Sequence, residues 1–379
     1  MRGRVLITGG AGFIGSHVAD ALLRRGYSVC ALDNLSEQVH GTPRLRPPWL
    51  DEEIELVVGD VRDAPTVDRA LDGVDAVLHL AAAVGTGRGA YEVERCASVN
   101  TVGTAVLMEA LARRPVKRLV VASSMSVYGE GLYRRAGGQL AEGEERPPSQ
   151  LQARRWEVCA RDGEVLEPVP TPESKRPALP SVDALTKYDQ ERLCLVLGRA
   201  YGVPSVALRL FNVYGPRQAL RHPHAGVLAL LGLRCLDGRA PLVNEDGLQR
   251  RDFVHVEDVA RACVLALESE RAPGRVFNVG SGQSHSVREV AERLARALGS
   301  DVQPEVTGRY RPGDVRHCFA DVSLAKAELG YAPEVTLERG LAEFAAWLSG
   351  LRARDRVGLA DALHSRPEVF TKALGTVAP

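Results

Sequence analysis

In the stretch SVDALTKYDQER, residues 181–192, Asp183 and Lys187 stand four residues apart. On a helix that spacing puts a carboxylate and an ammonium on one face, one turn from each other. A carboxylate can serve as a general base toward a substrate hydroxyl, and a neighbouring cation favours its charged form. The same two residues could equally form an ordinary intrahelical salt bridge. Which of the two holds depends on what else faces that turn.

A second group of residues points to a phosphate ligand. VLITGGAGFIGSH places Gly9, Gly12 and Gly15 at three-residue intervals between a strand and a helix. The first glycine permits a tight turn, the second admits a pyrophosphate against the backbone, and the third lets helix pack on strand. The helix start then offers unpaired N–H groups to the phosphates. Asp33 closes the next strand, where an acid accepts hydrogen bonds from a ribose hydroxyl, although LDNLS also suits a plain strand-ending turn. A carboxylate there repels a 2′-phosphate, which favours NAD over NADP. Asp60, in VVGDVRD, is either a contact for the adenine end or the N-cap of a following helix.

The elements that must carry these groups are visible as alternating runs. RVLIT (4–8), YSVCALD (27–33), IELVVGD (54–60), DAVLHLAA (75–82), RLVVASS (118–124) and SVALRLF (205–211) are continuous apolar segments, separated by stretches with helical spacing. Strands without polar alternation are covered on both faces. The predicted fold is therefore α/β: a doubly wound parallel sheet of the Rossmann kind with a smaller C-terminal α/β lobe. The expected division is a dinucleotide-binding domain over 1–180, the catalytic helix and last strand of the sheet over 181–211, a ligand lobe over 212–350 and a tail over 351–379. Residues 130–180, rich in Pro, Gly and charge, read as an irregular insertion or lid over the carboxyl edge of the sheet.

Composition removes several alternatives. Among 379 residues, 48 are basic and 48 acidic, so a polyanion-binding surface is not expected. No 18-residue apolar run is present. The start MRGRVLITGG enters a strand at once and lacks the apolar region of a signal peptide. Seven scattered cysteines with no CxxC pair read as reduced thiols rather than a disulfide framework or a metal site. These features predict a cytoplasmic protein without membrane, nucleic-acid or metal partners.

Ten segments taken in order carry a resemblance: TGGAGFIGSH, GDVRD, HLAAAVG, SVNTVGT, ASSMSVYGE, TKYDQER, LRLFNVYGPRQ, RDFVHVEDVA, NVGSG and RPGDVRHCFAD. Over roughly residues 3–348 the chain resembles extended short-chain dehydrogenase/reductases acting on nucleotide-diphosphate sugars, UDP-glucose 4-epimerase-like enzymes in particular. The resemblance implies tightly held NAD, with Ser124 and Lys187 at two of the three catalytic positions. It implies cofactor contacts at Gly9, Gly12, Phe13, Ile14, Gly15, Asp33, Asn34, Asp60, Val61, Leu80, Ala81, Ala82, Asn100 and Lys187. For the substrate it implies Thr86, Ser124, Ser126 and Asn212, with Arg251 and Arg311 clamping the diphosphate and Asp314 on the nucleotide ribose. Arginine suits that clamp because its guanidinium binds phosphate bidentately, while any one of these arginines alone reads equally as a surface charge. A homodimer through GTAVLMEALARR and the Lys187 helix is a further implication.

The third catalytic position of that family is a tyrosine four residues before the lysine, and here it is Asp183. A carboxylate is shorter than a phenol and intrinsically a weaker base. Tyr188 should face about 100° away round the helix, and Tyr128 and Tyr91 read as packing residues. Ser124-Met125-Ser126 lacks the acid pair of the family's dehydratases and the glutamate of its decarboxylases. What remains is 4-epimerisation through transient oxidation at C4. A one-way 4-ketoreductase, or a binding protein with little turnover, stands as the alternative.

Overall fold

The computed structural model describes residues 2–83, 93–220, 226–311 and 313–354. Seven strands form the central sheet: β1 (Arg4–Thr8), β2 (Ser28–Asp33), β3 (Glu55–Val58), β4 (Ala76–His79), β5 (Arg118–Ser124), β6 (Ser205–Leu210) and β7 (Val276–Val279). They are parallel throughout, in the order β7-β6-β5-β4-β1-β2-β3. The winding reverses between β1 and β4, where Thr8 lies level with His79, and such a reversal opens a crevice beyond the strand ends. Val5, Leu6 and Ile7 of β1 and every residue of β4 and β6 are buried, as continuous apolar runs require.

Helices cover both faces. Phe13–Arg24 and Val256–Glu268 share one core, through Val18, Ala19 and Leu22 against Val259, Ala262 and Cys263. Ala64–Ala70, Gly103–Arg113 and Val182–Tyr201 cover the other, through Val67, Leu107, Leu111 and Cys194. A separate core built by Leu228, Leu231, Phe253, Leu294, Leu341 and Phe344 holds the smaller lobe, with helices Val227–Leu236, Val287–Ala297 and Leu337–Arg354.

Two sequence expectations change. The segment RVFNVGSG was assigned to the smaller lobe, yet its strand is β7, the edge of the central sheet beside β6. Apolar patterning identifies a strand but cannot say which sheet receives it. The 130–180 segment is also not irregular. Leu132–Arg134 pairs antiparallel with Leu140–Glu142 and Glu167–Val169, closing over a small core of Tyr133, Val158 and Leu166. Three-residue strands between Pro and Gly leave too short a period to read.

No disulfide joins any of the seven cysteines. Among the described residues no helix is long and apolar enough to cross a membrane.

Candidate functional site

At the amino end the backbone builds a phosphate cradle. Gly9 turns with φ +72°, a region glycine enters freely, and its N–H donates to the Leu32 carbonyl at 2.7 Å. A Cβ on Gly15 would meet the Gly9 carbonyl oxygen and lie 2.8 Å from Gly10 Cα, so only glycine lets helix Phe13–Arg24 start there. In front of Gly12 the one neighbour is the Gly9 oxygen, at 3.3 Å. The helix start, at Phe13 and Ile14, has no side-chain cap and no acid in its first turn. Its positive dipole end is thus uncompensated, which fits a pyrophosphate. Gly10, absent from the sequence assignment, is equally constrained, because a Cβ would sit 2.6 Å from that of Ala31.

Asp33 closes β2 and ties this cradle to the next turn. One carboxylate oxygen accepts from Ala11 N–H at 3.1 Å and the other from Leu35 N–H at 2.9 Å. Turn residue and loop anchor are therefore one role, and the carboxylate keeps acceptor capacity for a ribose. Asp60 is not an N-cap, since helix Ala64–Ala70 starts from Asp63. It lies instead under Arg62, with Nε and Nη2 both at 2.8 Å, and accepts from Asn34 at 3.4 Å. The Arg62 guanidinium holds the Asp60 carboxyl down at about 2.

Val61 is a core residue beneath Gly103. Leu80, Ala81 and Ala82 follow the end of β4, with Leu80 N–H on the Thr8 carbonyl and Ala81 N–H on the Thr8 hydroxyl. Asn100, in the π-helical turn Ala97–Val102, is completely buried. Its carbonyl accepts from Ala83 N–H at 2.7 Å, and its NH₂ donates to the Ala83 carbonyl and the Thr186 hydroxyl, each at 3.0 Å. Through these bonds Asn100 fixes the segment after β4 to helix Val182–Tyr201.

That helix, Val182–Tyr201, is bounded by strong local signals. The Ser181 hydroxyl accepts from Ala184 N–H at 3.1 Å, and Gly202 closes the other end in the left-handed conformation. Asp183 falls in the first turn, where the helix dipole favours an anion. Behind the helix, Glu191 is buried and pairs with Arg209 at 2.8 Å while accepting from Ser123 at 2.7 Å. This locks the helix onto β5 and β6.

Asp183 and Lys187 share a face but form no ion pair within 4 Å, so the salt-bridge alternative does not hold. Lys187 is buried and turns inward, donating to the Ala122 carbonyl at 3.2 Å and to Gln190 Oε1 at 3.0 Å. Burial lowers its ammonium to about 8, with the Asp183 charge pulling the other way. Gln190 in turn donates to Thr104 at 3.1 Å and the Ala81 carbonyl at 3.2 Å. Asp183 faces Ser126, whose hydroxyl donates to it at 3.4 Å, and Ser126 N–H donates to Ser124 Oγ at 3.1 Å. Ser124, Asp183, Lys187 and Asn212 line one pocket of about 360 Å³, together with Phe211, Gln218, Gly226–Leu228 and Phe253. Asn212 is fixed by its NH₂ on the Asp252 carbonyl at 2.9 Å.

Among the described tyrosines, Tyr214 is the one that lines this pocket. The Tyr128 hydroxyl donates to Asn278 at 2.7 Å, Arg209 stacks on its ring, and burial pushes the phenol up. The Tyr27, Tyr133 and Tyr331 hydroxyls donate to Glu268, Glu130 and the Gly280 carbonyl. Tyr188 packs against the core on its own side, and Tyr214 lines the pocket with its hydroxyl directed at Gly340. Thr86 and Tyr91 lie outside the described residues.

The expected diphosphate clamp is not part of that pocket's lining. The Arg251 guanidinium donates to the Arg316 carbonyl at 2.8 Å and to the Val315 carbonyl, bracing the loop that carries Arg311 and Asp314. Asp314 is exposed and its N–H donates to the Arg311 carbonyl at 3.1 Å. Sequence reasoning also missed Gln190, although its place three residues after Lys187 was available as a signal. Gly226–Leu228, distant in sequence, carried none.

Fold and site together define a dinucleotide-binding α/β protein with a second lobe over the carboxyl edge of its sheet. The family model described as NAD dependent epimerase/dehydratase family matches residues 5–150 and 170–280. The chain is 37% identical over 355 residues to the dTDP-L-rhamnose 4-epimerase of Burkholderia thailandensis, spanning 91% of this chain and 95% of that one. It is 32% identical over 346 residues to the UDP-glucose 4-epimerase of Mycolicibacterium smegmatis, spanning 90% and 96%. Among solved structures, the UDP-glucose 4-epimerase of Thermotoga maritima with UDP-glucose superposes with a TM-score of 0.75 at 31% identity, covering 92% of this chain and 99% of that one. The UDP-glucuronic acid 4-epimerase of Bacillus cereus, with UDP-glucuronic acid and NAD, gives 0.73 at 27%, with 92% and 99% covered. The chain belongs to the NAD dependent epimerase/dehydratase family, a group of extended short-chain dehydrogenase/reductases, and its dinucleotide is NAD.

Proposed function

We infer that the chain is an NDP-sugar 4-epimerase in which Asp183 takes the place of the usual tyrosine. The carrying observation is that Ser124, Asp183 and Lys187 line one pocket while the two charged residues stay unpaired. A carboxylate bound, among the described residues, by Ser126 at 3.4 Å keeps lone pairs for a sugar hydroxyl. In this account Asp183 removes the C4 hydroxyl proton, Ser124 and Ser126 orient that hydroxyl, and Lys187 holds positive charge beneath them. NAD supplies reversible hydride acceptance at C4. The glycine cradle, Asp33 and the segment Leu80–Ala82 hold the dinucleotide, while Asn212, Arg251, Arg311 and Asp314 address the nucleotide-diphosphate. The name of the 37% relative makes dTDP-L-rhamnose the first substrate to test.

One observation favours a second reading, a binding protein with little turnover: the short Asp183 side chain stands where family members reach with a phenol. Incubating the protein with dTDP-, UDP-, GDP- and ADP-sugars and looking for the 4-epimer separates the two. If Asp183→Tyr creates turnover that the starting protein lacks, the epimerase reading fails. The proposal includes a homodimer, supported by exposed Val102, Leu185 and Val196 on and beside the two helices named above. Light scattering on the purified protein tests it. Seven cysteines without a disulfide among them support an intracellular setting.

A further inference from the structure

No residue of the 130–180 segment, expected as an insertion or lid over the carboxyl edge of the sheet, lines the Asp183 pocket. The segment's contacts run along the loop that carries Arg311 and Asp314. The Glu130 carboxylate accepts from Arg316 N–H at 2.7 Å and His317 N–H at 3.2 Å. Gly131 N–H donates to the His317 carbonyl, and Thr171 N–H to the Phe319 carbonyl, both at 2.8 Å.

Arg146 is the centre of this seam. It is 4% exposed and grips Glu245 with both arms at 2.9 Å. The same guanidinium donates to the Asp314 carbonyl, also at 2.9 Å. Glu245, 2% exposed, holds the other end of the loop, its N–H donating to the Arg309 carbonyl at 2.7 Å. Glu245 does so from a left-handed φ of +54°, a conformation that persists in a non-glycine residue only where the surroundings enforce it. Arg316, fully buried, pairs with Glu245, Asp246 and Glu157, and Trp156 lies 6.2 Å from the Tyr310 ring. Arg309 and Asp314 are therefore both fastened, through their carbonyls, to one buried ion pair.

We propose that Arg146, with Glu245, is a positioning residue for the nucleotide: it holds the Arg311–Asp314 loop in its receiving conformation and so sets affinity for the nucleoside diphosphate, not for NAD. The proposal rests on the functional reading above. Neither Arg146 nor Glu245 lines the Asp183 pocket.

The test measures UDP, dTDP, GDP and ADP binding by calorimetry, and NAD binding separately, for the full chain and two variants. Arg146→Met removes the whole contact, and about a tenfold or larger loss of nucleoside diphosphate affinity is expected, with NAD affinity within about twofold. Arg146→Lys keeps the counter-charge for Glu245 and hence the fold, but loses the fork; an intermediate loss of about threefold is expected. Where turnover is measurable, KM for the sugar nucleotide rises and kcat holds. If the unaltered protein binds none of the four nucleotides, the functional reading falls and takes this inference with it. If it binds one and both variants bind it equally well, the inference alone is overturned. Parallel loss of NAD affinity in Arg146→Lys also overturns it.

Discussion

Two charged regions of this molecule follow opposite rules. Beside Arg311 and Asp314, the residues Arg146, Glu245, Arg316, Asp246 and Glu157 are joined in one network of pairs between 2.5 and 2.9 Å. In the pocket lined by Ser124 and Asn212, Asp183 and Lys187 stand one helical turn apart and do not meet; Lys187 bonds to Ala122 and Gln190 instead. Removing charges from water is costly, and this network offsets part of that cost by pairing its charges in fixed geometry. Such charges hold shape. The pocket charges are left with unused capacity, which is what proton transfer needs.

The sharpest way to break this contrast is to remove the lysine. Lys187→Met should lower epimer formation by about 10²- to 10⁴-fold while NAD-free protein still folds, as checked by product assay and circular dichroism. A variant with unchanged turnover would make the unpaired ammonium incidental. Next in size is the cradle that brings NAD to the pocket. Gly15→Ala forces a methyl group against the Gly9 carbonyl, and such overpacking costs about 1–3 kcal/mol. NAD retention, followed by mass spectrometry of the native protein, should fall about tenfold or more.

A third variant sharpens the electrostatics. Asp183 raises the Lys187 ammonium against the lowering effect of burial, so Asp183→Asn should move its titration below about 8. Because the folded value lies below the unfolded 10.5, Lys187 contributes stability above pH 10.5 and loses it as pH falls through about 8. Asp183→Asn should carry the lower edge of that window further down, visible in unfolding midpoints measured from pH 7 to 10. The smallest effect is expected behind the catalytic helix. Ser123→Ala removes one hydrogen bond to buried Glu191, which keeps Arg209, and should cost about 1 kcal/mol in denaturant unfolding with NAD binding unchanged.

How much was legible in the sequence follows the same division. The strands and the glycine cradle were readable because apolar runs and three-residue glycine spacing are local patterns, and Gly9 and Gly15 occupy the geometry those patterns demand. Asp183 and Lys187 were found, but their separation was not foreseeable from i,i+4 spacing. It depends on the Ala122 carbonyl of β5 and on Gln190, which draw the ammonium inward. The 130–180 segment hid its sheet in short strands, and its partners lie about 100 to 190 residues further along the chain. Arg251 also braces the Val315 and Arg316 carbonyls, a contact that tertiary pairing sets and its motif does not reveal.

The central claim is that an aspartate at position 183 sustains C4 inversion with NAD held in place. Proton NMR of the purified, unaltered protein with dTDP-L-rhamnose and UDP-glucose in deuterated water tests it directly. The account predicts a 4-epimer that retains protium at C4, because the hydride that leaves the sugar returns to it. Absence of an epimer with every nucleotide sugar, from protein shown to hold NAD, would contradict it.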